Sequence, residues 1–387
     1  MNNISIDSFG PIHKADISFG DLTLLVGPQA SGKSLLLQLL KLVIDKKNIR
    51  KTLEQYGFIW GNETDSILNR YFGEGMASVW NDNTGVVWNE KPVLKSFFLP
   101  RQRENYKEAQ EQLFYVPAQR VICLQNGWPR FFTDYEDSVP YVLRHFSETL
   151  RLLMESSHGK YAEVVFPKPQ SLKSPLRDSF NNSIFHEGKI TLDTFGKKRF
   201  KLDIGKSSIP FLAWSAGQKE FMALLLSFYY LCPPSKAPRK ESVKYIVIEE
   251  PEMGLHPQAI ASVLLQVIDL ISRGYKVVIS THSPVLLEFA WAFRILQESR
   301  ADESALFDLF GLKKSAQLVG LFKNILEKKT MSVYAFTQTK AGVVTKDIST
   351  LDAGSMDTDI AEWGGLSSFS ARAANIISRS VVHDSAL

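Results

Sequence analysis

The chain has 387 residues, with 45 Lys plus Arg against 41 Asp plus Glu, a formal net charge of +4 and 44% hydrophobic residues. That is an ordinary globular composition, long enough for one elaborated domain or two, and too close to neutrality for bulk charge to argue for nucleic acid. Two cysteines, Cys123 and Cys232, exclude a disulfide framework and a cysteine-rich zinc module.

The N-terminal segment lacks the basic start and apolar run of a signal peptide, and no apolar stretch reaches the roughly 18 residues of a spanning helix. A soluble, cytoplasmic protein with no membrane partner is expected.

Residues 21–26 form a short apolar run ending at a glycine, which suits a buried strand. Residues 34–44 are leucine-rich with Gln38 and Lys41 interspersed, which suits a helix. From 46 to 112 aromatic residues, asparagines and glycines mix without a sustained period, predicting an insertion of helices and loops. Residues 114–117 read as a returning strand and 139–156 as a helix. Alternation of apolar and polar residues over 189–211, around Gly196 and Gly205, predicts antiparallel hairpins in a β-rich arm of about 157–212.

Residues 221–231 read as a buried helix. Two further buried strands, 245–248 and 276–280, flank a helix at 257–272. Strands alternating with helices predict an α/β fold with a central mixed or largely parallel sheet. The core then comprises 1–45 and 113–295. The remaining 296–387 reads as a helix over 304–328, a hairpin pairing 333–336 with 342–345, and a helix over 368–379.

Gly27-Pro28-Gln29-Ala30-Ser31-Gly32-Lys33-Ser34 fits the phosphate-loop pattern GxxxxGK[ST] between a predicted strand and a predicted helix. Its glycines let successive backbone N–H groups converge on phosphate oxygens. Lys33 adds charge at the β and γ positions, and the Ser34 hydroxyl suits Mg2+. ATP and Mg2+ are the ligands this implies.

The strand at 245–248 ends in Glu249 and Glu250, where ligands bind in open α/β sheets. One acid can hold the metal and the other can orient water. Ser215-Ala216-Gly217-Gln218 opens a helix with a hydroxyl and free N–H groups suited to a γ-phosphate, although serine is also a common helix cap. His282 follows the last buried strand, where it serves either as a phosphate contact or as a satisfied loop histidine.

In their order these elements resemble the ATP-binding-cassette (ABC) class of P-loop ATPases, in the branch containing RecF, SMC and OLD proteins. The stretches 6–12 and 24–28 look like the opening of that branch. Lys33 and Ser34 match the Walker A, Gln119 the Q-loop, and Ser215-Ala216-Gly217-Gln218 the signature. Glu249 and Glu250 match Walker B, Gly254-Leu255-His256-Pro257 the D-loop, and His282 the switch histidine.

The resemblance implies metal ligation by Ser34, Glu249 and Gln119, with catalytic roles for Glu250, His282 and Gln119. It also implies ATP sandwiched between two chains, hence a homo-oligomeric dimer or ring. Ala30, Trp214, Ala216 and Glu249 each depart from the usual residue without removing a needed group.

No sustained heptad run appears, which excludes the SMC coiled coil. Asp357-Thr358-Asp359 matches the Asp-x-Asp of a Toprim nuclease, but no apolar strand precedes it and it reads as a solvated turn. Roughly a hundred residues follow His282, so a nuclease effector is expected to be a separate chain. The chain is similar to the ATPase subunit of PARIS-type anti-phage systems. A RecF-like repair ATPase bound to duplex DNA and a slow-turnover scaffold are the alternatives. The basic clusters at 46–51 and 197–201 leave DNA open as a partner.

Overall fold

The computed structural model describes residues 2–101, 104–157, 164–168, 171–193, 198–233 and 241–384. The chain opens with a hairpin, β1 (Asn2–Phe9) and β2 (Ile12–Phe19), followed by β3 (Leu22–Val26) and α1 (Lys33–Gln55). Next come α2 (Thr64–Phe72), β4 (Trp80–Trp88), β5 (Lys91–Pro92), β6 (Leu113–Val116), the short pair β7 (Leu124–Gln125) and β8 (Trp128–Pro129), and α3 (Tyr141–Ser157). The arm contains β9 (Val164–Phe166), α4 (Ser174–Phe180), β10 (Lys189–Asp193), β11 (Arg199–Ile204) and β12 (Ser207–Pro210).

The second half begins with α5 (Ala216–Leu231), β13 (Tyr245–Glu249), α6 (Pro257–Ser272), β14 (Lys276–Ser280) and α7 (Pro284–Glu298). It ends with α8 (Ser304–Leu309), α9 (Ala316–Lys328), β15 (Met331–Thr339), β16 (Gly342–Asp347), α10 (Thr358–Ala361) and α11 (Ser368–Asp384).

Among the described residues ten strands form one sheet, ordered β5-β4-β1-β2-β16-β15-β3-β14-β13-β6. Its centre, β15-β3-β14-β13-β6, is parallel, and the β1–β2, β1–β4 and β15–β16 pairs are antiparallel. The arm is a separate four-stranded antiparallel sheet, β12-β11-β10-β9. This is an α/β arrangement with a mixed central sheet and an antiparallel arm, as the alternation of strands and helices and the pattern over 189–211 predicted. Gly196 and Lys197 lie outside the described residues.

The two-residue period of a strand sends alternate side chains to opposite faces, so a strand covered on both sides is apolar at every position. Ile246 and Ile248 pack with α5 and α6 in one core, while Val247 faces the other core with α1 residues Leu36, Leu37 and Leu40. Leu24 and Leu25 divide between the two cores in the same way. Thr23 is buried as well, and its hydroxyl accepts the Gly20 N–H at 3.1 Å.

Several elements differ from their predicted form. Helix α1 runs past residue 44 to Gln55, with a kink where Asp45 leaves helical geometry (φ −113°, ψ 17°). The buried Lys41 bonds Asp45 at 2.8 Å and Glu111 at 2.7 Å, and Asp45 accepts the backbone N–H groups of Gln112 and Leu113. The kink thereby docks the start of β6. In the basic cluster at 46–51, which left DNA open as a partner, Lys46 is buried against Glu104 at 3.2 Å and Arg50 pairs with Glu54 at 2.9 Å.

The segment 46–112 is not only helices and loops, because β4 pairs with β1 in the main sheet. Near the sheet edge it buries only Trp80 and Val86, so it lacks an apolar pattern. The stretch 304–328 divides into α8 and α9. The hairpin β15–β16 lies inside the sheet, between β3 and β2.

Candidate functional site

The register of the parallel strands brings three loops to one edge. Leu25 pairs with Ser280, and Ser280 with Glu249, so β3, β14 and β13 end level with one another. The ladder continues one step beyond them: Thr281 N–H donates to Leu25 O at 3.0 Å and Glu250 N–H to Ser280 O at 2.8 Å. The residues that follow each strand are therefore neighbours, although the loop after β3 lies about 220 to 250 positions from the other two in sequence.

The phosphate loop curls between β3 and α1. Gly27 has φ +139°, and a Cβ there would stand 2.6 Å from Phe336 O of β15, so only glycine fits. Ala30 adopts φ +59°, which costs a non-glycine residue on the order of 1 kcal/mol. Lys33 is 5% exposed and folds back on its own loop, with Nζ donating to Gly27 O and Pro28 O at 2.8 Å and to Ser31 Oγ at 3.2 Å. Burial pulls its pKa down to about 8, against the opposing pull of Glu250, Glu249 and Glu252.

At the end of β13, Glu249 is 4% exposed and accepts the Ala118 N–H on Oε2 at 3.2 Å. Its Oε1 is buried and has no hydrogen-bond partner. Burial pushes this carboxyl above its usual range, opposed by the Ser34 hydroxyl, the Ala118 N–H and the Tyr115 hydroxyl. A carboxylate oxygen kept dry and unmatched beside a serine hydroxyl is a donor set for a hard cation. Ser34 and Glu249 therefore fit Mg2+.

Glu250 occupies the left-handed region, at φ +43°. Its Oε1 lies 3.6 Å from His282 Nε2. Burial and the Lys33 charge lower the His282 pKa below its ordinary value, which keeps the ring neutral near pH 7 despite Glu250.

These groups face a cleft of about 570 Å3, within the roughly 300–1,000 Å3 of small-molecule sites. Its walls include Gln29, Ala30, Ser31, Gly32, Lys33, Ser34, Glu250 and His282. Phe72 at the end of α2, Glu74 and Met76 just beyond it, and Ser138 and Pro140 also line it.

Gln119 is exposed and does not line this cleft, although Ala118 beside it bonds Glu249. The Ser215–Gln218 turn also lies outside the cleft. Ser215 caps α5, with its Oγ accepting the Gln218 N–H at 3.3 Å while the Gln218 side chain accepts the Ser215 N–H at 3.1 Å. Gly217 packs on Gly254, and a Cβ at 217 would stand 2.4 Å from Gly254 O. The turn thus meets its own D-loop and not its own phosphate loop.

Two residues that the motif reading left without a role are built into the site. Oε1 of Glu252 accepts the Thr281 hydroxyl at 2.8 Å and the His282 N–H at 2.6 Å, which anchors the switch loop. Arg120 is fully buried, and its guanidinium donates to Glu249 O at 3.0 Å and Glu250 O at 3.1 Å. The available sequence signal was an arginine directly after Gln119 and an acid two residues past Glu250, and neither specifies a contact.

Residues 126–288 match the family model described as "AAA domain, putative AbiEii toxin, Type IV TA system", a range that includes Ser215, Glu249, Glu250 and His282. Over 80 residues the chain is 35% identical to the Old nuclease of Escherichia phage P2, covering 21% of this chain and 14% of that protein. The chain therefore matches only a small part of that relative's length.

Among solved structures, an SMC head bound to the C-terminal winged-helix domain of ScpA aligns over 89% of this chain and 96% of its own, at TM-score 0.44 and 11% identity. The SMC head domain from Thermotoga maritima aligns over 89% and 97%, at TM-score 0.35 and 12% identity. A dimeric bacterial ABC transporter cassette aligns over 72% and 88%, at TM-score 0.32 and 10% identity.

Proposed function

We propose that the chain binds and hydrolyses Mg-ATP, assembles through shared nucleotide sites, and in the assembled state controls a separate effector in anti-phage defence. The supporting observation is the convergence of Lys33, Ser34, Glu250 and His282 at one sheet edge around a cleft of nucleotide size, with the buried Glu249 at the end of the strand beside them.

The proposed roles draw on this geometry and on the motif resemblance. The loop 27–34 offers its N–H groups to the phosphates, and Lys33 exchanges its own carbonyl partners for phosphate oxygens. Ser34 and Glu249 would hold Mg2+, which would supply positive charge to offset that of the phosphates. Glu250 orients the attacking water and takes its proton. Neutral His282 donates a hydrogen bond to the γ-phosphate, and Glu252 fixes the loop that carries it. Gln119 lies outside the cleft, and its role toward metal and water is what the motif resemblance implies.

Assembly is supported by the place of the Ser215 turn. Its hydroxyl and N–H groups stand outside the cleft of their own chain, where a second copy's phosphate loop can meet them. ATP then links two chains.

The effector is the furthest step. The phage relative is named a nuclease, and the matched family is described as a toxin of a toxin–antitoxin system. In this chain Asp357 and Asp359 are engaged by Lys346, the latter at 3.3 Å, and Asp357 caps α10. They act as a cap and ion pair, and the nuclease is a partner chain. Purification from the native locus followed by mass spectrometry tests this. A stoichiometric nuclease subunit is expected, and tight duplex DNA binding with no co-purifying protein would favour a RecF-like role.

A further inference from the structure

We propose that Arg120 is a positioning residue, which holds the backbone of Glu250 in its left-handed conformation and ties it to helix α5 behind the Ser215 turn. This rests on the assignment of Glu250 as the group that orients the attacking water.

Arg120 is fully buried and follows Gln119 directly. Nη1 donates to Glu249 O at 3.0 Å and Nη2 to Glu250 O at 3.1 Å. Nε donates to Glu220 O at 3.3 Å and lies 3.4 Å from the Glu220 carboxylate. One side chain therefore binds the end of β13 at two successive carbonyls and the second turn of α5 at a third. The Ala118 N–H adds a bond to the Glu249 side chain, so the segment after β6 grips the acidic strand end twice.

Such a cluster needs a guanidinium. Its N–H donors point outward in one fixed plane and reach two adjacent carbonyls together with a third on another element. A buried cation also needs a counter-charge, and Glu220 supplies it from α5.

The arrangement answers a specific strain. Glu250 at φ +43° is in a conformation that non-glycine residues adopt only when surrounding contacts impose it. Three contacts do so: the Glu250 N–H on Ser280 O at 2.8 Å, and the Met253 N–H and Arg120, both donating to the Glu250 carbonyl at 3.1 Å. Glu220 lies five residues beyond Ser215 on the same helical start, so a shift of the Ser215 turn on meeting a second copy displaces Glu220, Arg120 and the Glu250 peptide together. Docking of the signature turn is thereby read at the residue that aims the water.

The test measures steady-state phosphate release and nucleotide affinity for wild type, Arg120→Lys, Glu220→Gln and Glu250→Gln in the full chain, each checked by circular dichroism and thermal melting. Arg120→Lys is expected to lower kcat by about 100-fold, the scale of a misplaced reacting group, with ATP affinity within about threefold of wild type. Glu220→Gln keeps every backbone bond and loosens only the ion pair, and is expected to lower kcat by about tenfold at unchanged affinity.

A folded Arg120→Lys protein with wild-type kcat, or one losing affinity and kcat in parallel, would overturn the role of Arg120. If Arg120→Lys fails to fold, a wild-type rate in Glu220→Gln overturns the link to α5. A wild-type rate in Glu250→Gln would instead overturn the assignment of Glu250 on which the proposal rests.

Discussion

Nε2 of His282 stands 3.6 Å from Oε1 of Glu250, longer than a hydrogen bond and short enough for both groups to reach one atom between them. The pair joins the ends of β14 and β13, which the sheet holds level by the Glu250 N–H to Ser280 O bond. If both groups act on the γ-phosphate and its attacking water, His282→Ala will lower kcat by about 10- to 1,000-fold and leave ATP affinity within a few-fold. Phosphate release and nucleotide titration on one preparation check this. Parallel loss of both would assign His282 to binding alone.

Lys33 makes nucleotide binding pH-dependent. Burial lowers its pKa to about 8, so the free protein is mostly protonated at pH 7 and mostly neutral at pH 9. Phosphate stabilises the ammonium, so ATP binding near pH 8.5 will take up protons, and affinity will fall as pH rises above about 8. Calorimetry in two buffers of different ionisation enthalpy measures the uptake, which Lys33→Met should abolish. Because the folded pKa lies below the unfolded value of 10.5, the buried charge opposes folding below pH 8. Stability of the nucleotide-free protein therefore gains from this group as pH rises from about 8 to 10.5.

Glu252 is expected to matter as an acceptor more than as a charge. Its Oε1 takes the Thr281 hydroxyl and the His282 N–H, and a glutamine offers an oxygen at the same place. Glu252→Ala leaves those donors unmatched and will cost about 1–3 kcal/mol in a urea melt, while Glu252→Gln will cost less. Equal losses in both variants would show that the charge itself is needed.

The C-terminal hairpin is expected to be indispensable and the last helix dispensable for folding. β15 pairs with β3 over five residues, and its Phe336 carbonyl lies against Gly27 of the phosphate loop. A chain ending at residue 329 will leave the β3 edge bare and is expected to be insoluble. A chain ending at residue 367 removes α11, whose Phe369, Ile376 and Ile377 are 62–75% exposed, and should keep its melting temperature within about 2 °C. Expression and thermal melts of the two truncations check both outcomes.

The central strands and the motif order were legible because burial on both faces forces unbroken apolar runs, as at Ile246-Val247-Ile248, and because a phosphate loop needs glycines at fixed places. Lys33 and Ser34 were singled out by the phosphate-loop pattern and Glu250 and His282 by the order of the motifs, and all four line one cleft. The sequence could not show that residues 331–347 enter the sheet beside β3, since strand order depends on long-range register that no local pattern encodes. Strand β4 was hidden because an edge strand with Asn81, Asp82 and Asn83 exposed carries no alternation. Arg120 and Lys46 were illegible for a related reason. A buried cation is recognised by its partners, here the carbonyls of Glu249 and Glu250 for one and Glu104 for the other, and composition around it gives no sign of them.

The most direct test of ATP hydrolysis and ATP-driven assembly at this site is phosphate release and light scattering, with Mg-ATP, for wild type, Glu250→Gln and Lys33→Ala. The expected result is turnover in wild type, a persistent ATP-bound assembly without phosphate release in Glu250→Gln, and neither assembly nor release in Lys33→Ala. Equal phosphate release in wild type and Glu250→Gln, or the same assembly state in all three with and without ATP, would contradict it.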